Sequence, residues 1–232
     1  MKIGVVLPTF TWSPEEALSV ASAAVDAGVH GVFAYDHLWP MGNPSRPALA
    51  PFPVLASIAA RHSQLFVGPL VARIGLVSNE TLVSQLRALE AIAPGRCIAA
   101  LGTGDKLSAA ENEAYGVPFA SAQQRRADLG EVAATLHGEG MTVWIGGGAR
   151  PTVAMAEEMG CAVNMWGATP DAVGEQAARS EVTWAGLLPK DDSGNHNDAA
   201  RDLLGRLDEA GATWAVVGWP APLEILGEVS GT

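Results

Sequence analysis

Residues 142–165 read TVWIGGGARPTVAMAEEMGCAVNM, and this stretch decides the fold class. The short apolar run Thr142–Ile145 has the length and character of a buried strand. Three glycines follow, and Pro151 opens a helix over Pro151–Met159. Proline is tolerated at a first helical position because its missing N–H has no intrahelical partner there. Gly160 stops the helix, and a second apolar run, Cys161–Met165, begins at once. Two buried strands joined by a helix pair in parallel through a right-handed crossover.

The same unit repeats in both directions. Upstream, the strands are Lys2–Pro8, Gly31–His37, Leu65–Ile74 and Arg96–Leu101. The helices between and after them are Pro14–Ala27, Pro53–Arg61, Thr81–Ala93 and Gln123–His137. Ser13 is the expected cap of the first, with Pro14 leading an acidic first turn, Glu15 and Glu16. Downstream come helix Pro170–Arg179, strand Val182–Leu188, helix Asp198–Ala210 and strand Thr213–Val217, with a short tail. No composition break marks a linker, so residues 1–232 read as one domain. About eight such units in slightly under ~250 residues predict a (β/α)8 TIM barrel of the α/β class, compact and with reduced insertions. A doubly wound open sheet uses the same alternation; the number of units favours the barrel.

Composition narrows the partners. Hydrophobic residues make up 48% of the chain and charged residues 17%, which suits a folded domain with a sizeable core. The 14 Lys and Arg face 25 Asp and Glu, for a net charge of −11. An acidic surface repels phosphate backbones and anionic lipid, so neither nucleic acid nor membrane is an expected partner. Cys97 and Cys161 share no motif and read as buried thiols. The N-terminal apolar run is too short for a signal peptide, and a cytoplasmic location is expected. Asp191–Asp198 reads as a solvated acidic loop.

In a (β/α)8 barrel the chemistry sits where the strands end. Those ends carry Trp12, Asp36-His37-Leu38-Trp39, Ala72-Arg73, Gly102-Thr103-Gly104-Asp105, Gly146-Gly147-Gly148, Trp166 and Trp219. Four tryptophans at one mouth predict an aromatic-walled pocket for a flat ligand. The Gly-Thr-Gly turn lacks the third glycine of a dinucleotide fingerprint, because position 107 is Leu. Its glycines still let backbone approach a ligand closely. Gly146–Gly148 precede a helix start next to Arg150, where free N–H groups and a guanidinium suit an anion. His37 is the candidate proton carrier, since histidine titrates near neutrality.

Taken in order, several motifs resemble the bacterial luciferase-like monooxygenase superfamily, and most of all its coenzyme F420-dependent branch. They are Lys2–Pro8, Ala27-Gly28, Asp36-His37, Pro94-Gly95-Arg96, Leu101–Asp105, Asn112–Phe119 and Trp144–Gly148 with Arg150 beyond. The resemblance implies a deazaflavin ring at the C-terminal mouth of the barrel, backed by a bulge at Leu70-Val71-Ala72-Arg73 that often holds a non-proline cis peptide. It implies a cofactor contact for Asp36, proton transfer by His37, an acid role for Asp105 and a pocket wall at Trp39. Leu70, Val71, Arg73, Thr103, Gly104, Gly146, Gly147, Gly148 and Arg150 complete the implied cofactor-binding set.

The chain departs from the family in two ways. It is short, without the insertion that usually follows the seventh strand, and Val77-Ser78-Asn79-Glu80 replaces the usual basic-Pro signature. A more open pocket and a different phosphate anchor follow. The expected function is hydride transfer between F420 and a small-molecule substrate, in a homodimer. An FMN-dependent monooxygenase and a non-catalytic flavin-binding barrel are the alternatives.

Overall fold

The computed structural model describes residues 1–190 and 198–231; most of the acidic loop read from the sequence therefore lies outside the described residues. Nine parallel β-segments and nine helices alternate among the described residues. They run β1 (Lys2–Val6), α1 (Glu15–Asp26), β2 (Gly31–Ala34), α2 (Pro51–Arg61), β3 (Phe66–Pro69), β4 (Ala72–Arg73), α3 (Asn79–Ile92), β5 (Ile98–Gly102) and α4 (Ser108–Ala114). The second half holds α5 (Ala122–Gly138), β6 (Thr142–Gly146), α6 (Arg150–Met159), β7 (Ala162–Trp166), α7 (Pro170–Ala177), β8 (Val182–Gly186), α8 (Asp198–Glu209), β9 (Trp214–Val217) and α9 (Leu223–Ser230).

The strand order is β3-β2-β1-β9-β8-β7-β6-β5-β4, parallel throughout. Its two ends, β3 and β4, are halves of a single strand interrupted at Leu70-Val71, where the peptide bond is cis. β3 pairs with β2 and β4 with β5, while a bridge between Val67 and Cys97 joins the two edges. The result is the expected eight-stranded barrel with its third strand split. The apolar run by itself predicts an unbroken strand over Leu65–Ile74, whereas the family resemblance places a bulge with a non-proline cis peptide at Leu70-Val71-Ala72-Arg73, where the break is found.

Alternation along the strands divides the buried side chains into two sets. Val6, Phe33, Ile98, Ala100, Trp144, Ala185, Trp214 and Val216 point into the barrel. Their neighbours in sequence point outward and pack with the helices, as Ile3, Val5 and Leu7 do against Ala17, Ala21 and Leu226. The interior is closed by aromatic rings: Phe33 stacks on Trp144 at 5.4 Å, and Trp214 meets both edge-on at 5.9 and 5.6 Å. Three of the seven tryptophans thus serve the core (Trp144, Trp184 and Trp214). Cys97 and Cys161 are free and buried.

Two helices go beyond the sequence reading. α9 replaces the expected tail and buries Ile225 and Leu226. α4 lies within the connection between β5 and α5, and it carries part of the site. The first helix begins one residue later than expected, at Glu15, whose N–H donates to Ser13 Oγ at 3.2 Å. No described helix is long and apolar enough to cross a membrane.

Candidate active site

β2 ends at Ala34, so Asp36 and His37 stand on irregular chain beyond the strand. Freed from the strict alternation of a strand, neighbouring residues both enter one network. Asp36 Oδ2 accepts the backbone N–H of Arg73 at 2.9 Å, which ties the end of β2 to the second half of the split strand. His37 Nδ1 lies 3.0 Å from Glu111 Oε1 and 3.3 Å from Oε2. The other side of that carboxylate meets Arg73, whose Nη1 is 2.7 Å from Glu111 Oε2.

Burial sets the electrostatics. The side chains of Arg73 and Glu111 are 4% and 3% exposed, whereas His37 is 28% exposed. A buried carboxylate facing a guanidinium has only acceptor capacity. His37 therefore donates through Nδ1–H, and Nε2 is left as the proton acceptor. Burial pushes the Asp36 carboxyl above its ordinary value, outweighing the Arg73 N–H bond and the attraction of Arg73 and His37. Burial likewise draws Arg73 down, while Glu111 and Asp36 oppose that shift. The Tyr35 phenol is pushed up to about 12 by burial.

Glu111 reaches this position because α4 turns polar residues inward. Ser108, Glu111 and Asn112 are its buried members, spaced as one helical face. Asn112 Nδ2 donates to the carbonyls of Gly75 and Pro118 at 3.1 and 3.3 Å, fastening α4 to the loop after β4. A buried polar stripe at i, i+3 and i+4 was the available sequence signal for Glu111. It overlaps the start of the Asn112–Phe119 motif.

The other candidates fall in different places. Asp105 is exposed, and its Oδ1 accepts the N–H groups of Leu107 and Ser108 at 2.8 and 3.3 Å, so it caps α4. The carbonyl of Thr103 accepts Arg125 Nε at 2.7 Å. Val71 fills the space that two glycines leave: a Cβ on Gly102 would collide with Val71 Cγ2, and one on Gly146 would lie 3.0 Å from Cγ1. Gly104, at φ +66°, similarly makes room for Arg73, since a Cβ there would lie 3.0 Å from Arg73 Cδ. Leu70 is buried beside Val71. Gly147, Gly148 and Arg150 are exposed around the start of α6, which has no side-chain cap.

The four strand-end tryptophans do not form one wall. Trp12 is 85% exposed. Trp166 meets Tyr35 edge-on at 6.0 Å, and Tyr35 stacks on Phe10 at 5.6 Å. Trp39 faces Tyr115 at 6.1 Å, and Trp219 packs against the outer core. Trp39 also lines a cleft of about 220 Å³ whose walls include His37, Met41, Pro44, Leu107 and Glu111. The proton-carrying candidate and its carboxylate thus open onto a recess at the C-terminal mouth.

Residues 1–139 match the luciferase-like monooxygenase family. Among curated proteins, the chain is 28% identical over 147 residues to the F420-dependent glucose-6-phosphate dehydrogenase of Beutenbergia cavernae, covering 63% of this chain and 42% of that protein. It is 30% identical over 132 residues to the enzyme of the same name from Kineococcus radiotolerans, covering 56% and 38%. The match thus spans about two-fifths of the length of these relatives.

Among solved structures, an F420-dependent secondary alcohol dehydrogenase in complex with an F420–acetone adduct superposes with a TM-score of 0.81 at 14% identity, over 98% of this chain and 97% of that one. The coenzyme F420-dependent tetrahydromethanopterin reductase of Methanopyrus kandleri gives 0.74 at 16% identity, over 100% and 97%. At these identities the likeness is one of fold.

Proposed function

The chain belongs to the luciferase-like monooxygenase family, and from that premise we propose that it is an oxidoreductase using the deazaflavin coenzyme F420. The observation that carries this reading is the chain of contacts from Arg73 through Glu111 to His37 beside a cleft at the barrel mouth. The names of the relatives, F420-dependent dehydrogenases, support it.

The residues fit such a cofactor. Gly147, Gly148 and Arg150 leave an open backbone edge and a cation at the uncapped start of α6, where an anionic tail can be bound by N–H groups and a guanidinium. Val71, half-buried at the break in the split strand beside the buried Leu70, offers apolar surface suited to the back of a flat ring. When bound, the coenzyme supplies a two-electron hydride acceptor or donor. Asp36 holds the break in place through the Arg73 N–H, and Trp39 shields the cleft from water.

His37 exchanges the coupled proton through Nε2. Glu111 fixes the ring's tautomer through Nδ1 and stabilises the imidazolium once the proton has arrived, much as an orienting carboxylate does in a catalytic triad. Arg73 holds Glu111 in place through the ion pair at its other oxygen, and Asp105 acts through the fold of α4. The reading includes a small-molecule substrate and a homodimer in the cytoplasm.

Fluorescence titration of the purified protein with F420 and, in parallel, with FMN tests the cofactor. Quenching at low micromolar F420 with much weaker binding of FMN is expected. A preference for FMN would replace the reading with a flavin monooxygenase.

A further inference from the structure

Glu111 stands on an excursion of the chain, residues 103–121, that leaves the barrel after β5 and returns at the start of α5. Both ends of that excursion meet one side chain. Arg125, in the first turn of α5, donates through Nε to the carbonyl of Thr103 at 2.7 Å and through Nη1 to the carbonyl of Ala120. Its guanidinium lies over the ring of Phe119, 4.0 Å from the centroid. Arg125 is 7% exposed. Removing a cation from water is unfavourable, and two carbonyls and one aromatic face are what offset that here.

The part between those ends is ill suited to holding its own shape. α4 has seven residues, too few for a helix to be stable alone. Four residues separate Thr103 from Ser108, and they include Gly104 in the left-handed region at φ +66°, where glycine confers freedom rather than rigidity. Asp105 follows at once and caps α4 through the N–H groups of Leu107 and Ser108. A shift of the Thr103 carbonyl therefore passes through one tight turn to the helix that presents Glu111. In the middle of the excursion Glu111 meets Arg73 and His37; at its two ends the contacts are those of Arg125.

We infer that Arg125 is a positioning residue for His37: by closing the excursion at Thr103 and Ala120 it keeps Glu111 within hydrogen-bond reach of Nδ1, and so fixes which ring nitrogen carries the proton. Arg125 is not in the lining of the cleft. It acts at one remove, through the backbone of the Gly-Thr-Gly turn. For turnover the inference rests on the proton exchange proposed above, whereas the tautomer of His37 is a property of the protein without coenzyme.

Nitrogen-15 NMR of the full chain with labelled histidine, free of coenzyme and at alkaline pH, reads the tautomer directly, with His37 assigned by its absence from His37→Gln. The unmutated protein is expected to carry the proton on Nδ1, and Arg125→Met to show a mixture of both tautomers with its far-ultraviolet circular dichroism unchanged. With F420, the same variant is expected to lose roughly 10–100-fold in kcat, while its F420 affinity in a fluorescence titration changes little. Adding Arg125→Met to Glu111→Ala should lower kcat no further, because both remove the same contact. An unshifted His37 in folded Arg125→Met, an Nε2–H ring in the unmutated protein, or additive losses in kcat overturn the inference. If Arg125→Met does not fold, Arg125→Lys is read in its place. An ammonium keeps the charge over Phe119 but lacks the fork that reaches two carbonyls, so a partial shift supports the inference and no shift overturns it. A shifted tautomer in a protein that binds no F420 leaves the positioning role intact and removes the cofactor reading. An unshifted one in a protein that binds F420 does the reverse.

Discussion

The guanidinium of Arg73 lies 2.7 Å from a carboxylate oxygen of Glu111, and both side chains are almost wholly buried. Two further guanidinium nitrogens of Arg73, Nε and Nη2, are buried without a hydrogen-bond partner. The pair is therefore a costly structure to maintain in the core, where removing charges from water is unfavourable unless their mutual attraction offsets it. Its return lies at His37, 3.0 Å away on the other side of the carboxylate.

Breaking that pair leaves an uncompensated buried charge. Arg73→Met is expected to destabilise the protein by about 3–5 kcal/mol in denaturant unfolding. Adding Glu111→Met removes the stranded carboxylate and is expected to restore much of the stability without restoring turnover. A double variant as unstable as Arg73→Met alone would show that the pair is not the source of the loss.

His37, the proposed proton carrier, lines the cleft with a partly exposed ring. His37→Ala is expected to lower kcat by roughly 10²–10⁴-fold with little change in F420 affinity. Steady-state kinetics and a fluorescence titration on the same preparation separate the two effects. Equal loss in both would assign His37 to cofactor binding.

The raised Asp36 carboxyl gives stability a definite pH dependence. The folded protein holds this proton more tightly than the unfolded chain, so the contribution is full below the ordinary value of 3.8 and is lost as pH rises through the higher folded value. Asp36→Asn keeps an oxygen for the Arg73 N–H and removes the titration. Its Tm relative to the unmutated protein is expected to rise as pH is raised from about 4 towards neutrality. A relative Tm that falls over that interval would contradict burial as the dominant influence.

Val71 and Gly102 form a complementary pair across neighbouring strands. A Cβ on Gly102 would collide with Val71 Cγ2, so Gly102→Ala is expected to cost about 1–3 kcal/mol. Val71→Ala clears the collision, and the combined variant should be more stable than Gly102→Ala alone. Thermal unfolding of the three variants measures the coupling; strict additivity would exclude it.

The glycines of the Gly-Thr-Gly turn have a packing role that their sequence context does not show. Read alone, they suggest backbone open to a ligand. In the fold, Gly102 admits Val71 and Gly104 admits Arg73, side chains at and just after the break in the split strand. Asp105 presents the same lesson: its carboxylate, next to a promising turn, serves the N-terminus of α4.

What the sequence determined by itself was the barrel, its strand ends and the place of Asp36, His37 and Arg73 among them. Hydrophobic periodicity and helix-end chemistry are local properties, and eight repeats of one local unit leave few ways to close a sheet. The tertiary structure alone decided the inward face of α4 and the choice of Glu111 over Asp105 as the partner of His37. Residues 37 and 111 stand 74 positions apart. Their meeting depends on how β2, the split strand and α4 pack around one buried guanidinium, a relation that no local pattern encodes.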